Sequence, residues 1–169
     1  PGSTYKMLTA IAGREEHSDE RAFKPCYGSY YYGRTYHGWR EGGHGSLDMV
    51  GAIEQSCNVY FYQLGQRLPL DRWHFYGDLL GLGRPTGIDL ANENPGVLPD
   101  HEYYDAVNVE YSPGMMLNLA IGQGENLTTM LQLAQYVGIL ATDGIKATPH
   151  VVAGNAREPV RVTGIAPET

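Results

Sequence analysis

The stretch PGSTYKMLTA, residues 1–10, decides how the rest of the chain is read. It sets Ser3 and Lys6 three positions apart, directly after a proline–glycine break, at the head of a breaker-free run that reaches Ala12 and meets Gly13. On a helix, positions i and i+3 share a face, with Cβ atoms about 5–6 Å apart, so this hydroxyl and this amine can meet. A serine hydroxyl becomes a nucleophile only when something takes its proton. A lysine can take it once burial and neighbouring charge leave its amine neutral. A serine at a helix N-terminus also lies beside free backbone N–H groups that favour developing negative charge. Taken alone, the pair is a common pattern, because a helix cap followed by a solvated lysine looks the same.

A second element changes its weight. SCN at residues 56–58 interrupts a helical pattern that begins near Ser46, read as an N-cap, and resumes from Val59 to Leu68. A Ser-x-Asn turn offers a hydroxyl that can relay a proton and an amide that can hold a carbonyl. It can also be no more than a polar kink between two helices. Around these points, Tyr5, Leu8 and Ala12 together with Met7 and Ile11 predict a deeply buried first helix. Residues 22–45, with Pro25 and glycines at 28, 33, 38, 42, 43 and 45, read as irregular. PLDRWHFYGDLLGLG (69–83) reads as a helix, and 84–118 as a long connection with short extended pieces. Thr128 caps an apolar helix running to about Thr142, and HVV (150–152) and VRV (160–162) read as short strands.

Composition bounds the function. With 12 basic against 19 acidic residues the chain carries −7, which argues against nucleic acid, a ligand that asks for a basic patch. Apolar residues at 42% suffice for a core, and no run approaches the roughly 20 apolar residues of a membrane span.

PGSTYKMLTA, GHGSLDMVGAIEQSCNVYFYQLG (43–65), LGLGRPTGIDL (80–90) and AIGQGENLTTMLQLAQYVGILATDGIKATPHVV (120–152) together resemble class B penicillin-binding proteins of the cell-elongation type, in the family's usual order and over most of the chain. The resemblance implies an α+β fold shared with serine β-lactamases, of which these residues are mostly the helical part. It implies a D,D-transpeptidase that cross-links peptidoglycan stem peptides, is acylated by β-lactam antibiotics, and works with cell-elongation proteins on the extracytoplasmic face of the bacterial inner membrane. Ser3 would be the acylated nucleophile and Lys6 its proton acceptor. Ser56 would pass a proton to the leaving amine, Asn58 would hold the donor peptide's carbonyl, and Gln123 in IGQG would mark a structural turn near the site. The family's K-[ST]-G motif is not among these residues, since Lys6, Lys24 and Lys146 are followed by Tyr-Met, Pro-Cys and Ala-Thr. The expectation is therefore that residues 1–169 are a partial transpeptidase domain, with that strand beyond Thr169 and the membrane anchor and pedestal before Pro1. A β-lactamase or β-lactam sensor of the same fold, with Glu93 or Glu125 activating water, and a non-catalytic binding module are the rival readings.

Cys26, His37, His44 and Cys57 follow one another as C-x10-H-x6-H-x12-C. Zinc readily takes two thiolates and two imidazoles, and Cys57 is the middle residue of the Ser56–Asn58 turn, so a structural zinc would tie the Gly-rich loop to that turn. Some elongation-type relatives bind zinc at matching positions, including the histidine of GHG and the cysteine of the turn. Their second ligand comes just before the tryptophan, at the place of Gly38, so His37 departs from the pattern by one residue. A Cys26–Cys57 disulfide, or two buried thiols with surface histidines, would account for the same residues.

Overall fold

The computed structural model describes residues 1–19, 22–166 and 169. Helices dominate, accompanied among the described residues by two small two-stranded antiparallel sheets. The chain opens with a 3-10 turn, Gly2–Tyr5, which feeds α1, Lys6–Glu15. Tyr5, Leu8 and Ala12 are fully buried, as the opening pattern predicts. The helix does not stop at Gly13. A Cβ at that position would lie 2.8 Å from Leu64 Cδ1, so glycine there lets α1 press against α3, Asn58–Gly65.

α1 is the central rod. On one side it meets α4, Leu70–Leu79, where the fully buried Trp73 donates from Nε1 to Thr9 Oγ1 at 3.1 Å. Thr9 in turn donates to the Ala120 carbonyl at 2.8 Å, joining α1 to the end of α6, Pro113–Leu119. Tyr5 packs at 6.3 Å between ring centroids from both Trp73 and Tyr136 of α7, Met130–Ala141. Thr9 and Trp73 thus each find a partner inside the core, as buried polar groups must.

Several elements differ from the sequence reading. The stretch 22–45 contains a hairpin, β1 Ser29–Tyr32 with β2 Arg34–His37, turned at Gly33. Clustered tyrosines and Thr35 favour strand, a propensity the glycines masked. α2, Met49–Glu54, is capped by Asp48, which accepts from Gly51 N, rather than by Ser46. The long connection holds α5, His101–Ala106, capped by Asp100, and α6, which starts with proline at its first position. Thr129, not Thr128, caps α7 in a reciprocal capping box with Gln132. In the tail, Val160–Arg161 (β4) pairs with Ile145–Lys146 (β3), whereas 150–152 form no strand. No helix of the described residues is long and apolar enough to cross a membrane.

One loop locks the start of the chain in place. Gly2 N donates to the Gly122 carbonyl at 2.8 Å, and Gly122 has φ +71°, with the site of a Cβ only 2.1 Å from Gly2 O. Both conditions demand glycine. Gly122→Ala is therefore expected to cost at least about 1–2 kcal/mol and to shift the Gly2–Ser3 backbone. Denaturant unfolding checks it, and an unchanged midpoint would contradict it.

Candidate active site

The 3-10 turn and α1 place Ser3 at the surface and Lys6 inside, with 3% of Lys6 exposed. The turn that meets them lies between α2 and α3. Ser56 there has φ +48°, a left-handed conformation costly for a residue with a Cβ, and Cys57 leads into α3. This geometry interrupts the helical pattern and turns the Ser56 carbonyl, the Ser56 hydroxyl and the Asn58 amide toward Lys6. Lys6 Nζ donates to Ser56 O at 2.8 Å, to Ser56 Oγ at 2.8 Å and to Asn58 Oδ1 at 2.6 Å. Ser56 Oγ donates to Ser3 Oγ at 3.0 Å. The four residues singled out in sequence thus form one network, with one refinement: the hydroxyl of Ser56 stands between Ser3 and Lys6.

Two features of this network are not visible in the motifs. The buried Phe61 ring forms an apolar floor 5.8 Å from Lys6 Nζ. The IGQG turn abuts Gly2 through Gly122, while Gln123 itself is exposed. Burial lowers the Lys6 ammonium from its ordinary value to about 8, opposed by the charge of Cys57. About a tenth of Lys6 is then neutral at pH 7, with a lone pair available to a hydroxyl proton.

Beside the turn, Cys26, His44 and Cys57 each present a ligand atom within 4.8 Å of the others. The loop is laid there by the Cys26–Gly45 bridge, with His44 N and Gly45 N both donating to Cys26 O. His44 Nδ1 lies 3.7 Å from Cys26 Sγ, close to the sulfur–nitrogen edge of roughly 3.5 Å in a zinc tetrahedron. His44 Nε2 is buried and makes no hydrogen bond to the protein, and burial holds the imidazole below its ordinary pKa, thus neutral. Burial also pushes the Cys57 thiol up, and the Cys26 and Cys57 side chains are both buried. The donor set fits a thiophilic metal. Both cysteines are free thiols, not a disulfide. His37 does not join them. It ends β2 opposite Ser29, and strand alternation buries Tyr36 while His37 faces solvent. Of the four residues read from sequence as a metal set, the structure brings three together and leaves His37 outside.

The carboxylates that a hydrolase would need are engaged elsewhere. Glu93 accepts from Thr86 Oγ1, Thr86 N and Gly87 N, and Glu125 accepts from the Tyr104 hydroxyl.

Residues 1–164 match the family described as "Penicillin binding protein transpeptidase domain". The chain belongs to the penicillin-binding protein transpeptidase family. It is 31% identical over 157 residues to the peptidoglycan D,D-transpeptidase MrdA of Acinetobacter baumannii, covering 90% of this chain and 23% of that protein. It is 31% identical over 135 residues to MrdA of Escherichia coli K12, covering 79% of this chain and 21% of that one. The chain thus spans about a quarter or less of the length of these curated relatives. Among solved structures, penicillin-binding protein PBP2 of Helicobacter pylori in complex with MreC superposes with TM-score 0.90 at 32% identity, over 97% of this chain and 31% of that one. Pseudomonas aeruginosa PBP2 in complex with WCK 5153 gives 0.87 at 30%, over 99% and 41%. The helical elements described above are thus those of the transpeptidase fold.

The environment of Lys6 makes a direct prediction. By NMR of lysine labelled at Cε, Lys6 is expected to titrate near pH 8. Asn58→Asp should raise that value, because an added anion favours the ammonium. Titration of Lys6 at 10 or above in the unaltered protein would contradict the geometry.

Proposed function

We propose that these residues carry the acylation half of a peptidoglycan D,D-transpeptidase, with Ser3 as nucleophile. The observation that carries this reading is the Lys6–Ser56–Ser3 hydrogen-bond chain. Neutral Lys6 draws a proton from Ser56 Oγ as Ser56 takes that of Ser3. Ser3 Oγ attacks the penultimate D-alanine carbonyl of a stem peptide, forming a tetrahedral oxyanion. The backbone N–H of Ser3, at the start of the 3-10 turn, supplies one oxyanion donor. Collapse expels the terminal D-alanine, whose amine takes the proton back through Ser56, and leaves a Ser3 ester. Asn58 holds the donor peptide through the amide hydrogens that its Lys6-bound oxygen leaves free. A β-lactam enters by the same attack, but its leaving amine stays tethered and the ester persists. With Glu93 and Glu125 engaged elsewhere, neither supplies a base for release to water, which favours transfer over hydrolysis.

Cys26, His44 and Cys57 would hold a zinc ion, which when bound supplies structural charge compensation for the two sulfurs and fixes the loop to the Ser56–Asn58 turn. Similarity to a PBP2 in complex with MreC and to a structure of a peptidoglycan synthase complex supports partners in the cell-elongation machinery, and acting on peptidoglycan would place the protein on the extracytoplasmic face of the inner membrane.

Incubation of the full-length protein with a penicillin should give one penicilloyl adduct, on Ser3. Ser3→Ala should abolish it while changing stability by no more than about 1 kcal/mol. Lys6→Arg should slow acylation at least about 100-fold, because guanidinium cannot become neutral. An adduct that persists in Ser3→Ala would overturn the assignment. For the metal, elemental analysis of protein purified without added zinc should find about one zinc per chain. Chelation should expose two free thiols and slow acylation about tenfold or more. Absence of both metal and free thiols would instead mean a disulfide.

A further inference from the structure

Trp39 is 62% exposed, yet its polar end is fastened to the Ser56–Asn58 turn. The indole N–H lies 3.1 Å from the carbonyl oxygen of Gln55 and 3.2 Å from that of Ser56. Its ring packs 5.3 Å, centroid to centroid, from that of His44. An exposed tryptophan held only as apolar surface needs no such pairing, since solvent would satisfy its single donor.

We propose that Trp39 is a positioning residue for acylation: its indole N–H fixes the Ser56 carbonyl, and so keeps the Ser56 hydroxyl between Lys6 and Ser3. This rests on the transpeptidase reading above. Ser56 sits at φ +48°, and such a conformation persists only when its surroundings over-determine it. Two donors hold its carbonyl, Lys6 Nζ at 2.8 Å and Trp39 Nε1. Lys6 holds it with a group whose protonation state changes during the reaction. As an ammonium it has three N–H bonds for its three acceptors, but as a neutral amine it has two, and its lone pair must face the hydroxyl whose proton it takes. The acceptor that loses its N–H is the Ser56 hydroxyl, which then donates to the lone pair, and the two N–H bonds left serve the Ser56 carbonyl and Asn58 Oδ1. The indole N–H does not titrate, and it retains the Ser56 carbonyl while Lys6 changes state. Trp39 comes from the loop that also carries His44, so the grip reaches the turn from outside α1 and from outside α2 and α3.

The test is the acylation of the full-length protein by a fluorescent penicillin, resolved into the binding constant Ks and the acylation rate constant k2. Replacing Trp39 by 3-benzothienylalanine exchanges the N–H for sulfur and keeps the ring shape; Trp39→Phe removes the donor with genetically encoded chemistry. Both are expected to lower k2 about fivefold to tenfold, the worth of one well-placed hydrogen bond, with Ks within about twofold of the unaltered protein. An unchanged k2, or a loss carried by Ks alone, would overturn the proposal and make Trp39 a substrate-facing surface. Failure of the unaltered protein to acquire any Ser3 adduct would overturn the transpeptidase reading and this proposal with it.

Discussion

Lys6 Nζ is the atom around which the rest of the site is arranged. A cation carried inward by α1 to 3% exposure requires acceptors for all three of its hydrogens. Its own helix offers none, because the α1 carbonyls are used in the helix. All three come from one short turn on another part of the chain, at 2.6–2.8 Å. That demand explains why the α2–α3 junction breaks where it does, why Ser56 accepts a left-handed backbone, and why Asn58 opens α3 with its side chain turned to Lys6. The apolar surroundings that make the ammonium costly, Phe61 among them, are what bring its pKa down to about 8. The arrangement that burdens folding is the one that makes a usable base.

The turn is in turn held from outside by residues 22–48. Gln63 of α3 donates to the Lys24 carbonyl and accepts from Lys24 N; Tyr62 donates to the His37 carbonyl. Cys26 and His44 then close on Cys57. Phe23 and Tyr36 also pack on Tyr60 and Tyr62 of α3, so these point attachments add to aromatic packing.

The four residues of the Lys6 network were legible in sequence because each motif is local: Ser3 and Lys6 lie one helical turn apart, and Ser56 and Asn58 flank one residue. Their mutual contact was not, since the link through the Ser56 hydroxyl depends on a backbone angle that no residue type announces. His37 was misassigned because its side depends on the register of a hairpin that the glycines hid, and one residue along a strand reverses the face. α5 and α6 were hidden by prolines at 95, 99 and 113. Of these, Pro113 begins a helix rather than breaking one, and Asp100 just after Pro99 was the cap that could have located α5. The α1 end beyond Gly13 shows the same confusion: a glycine required for close helix packing looks like a terminator.

The central claim is that a buried, neutral Lys6 drives acylation, and the pH dependence of the second-order acylation rate constant tests it most directly. That constant reports the ionisation of the free enzyme. Because the active form is the deprotonated amine and burial has lowered its pKa to about 8, the rate should rise about tenfold per pH unit below that value and level off above it. A rate constant independent of pH between 6 and 9, or one still climbing as pH passes 10, would contradict the account.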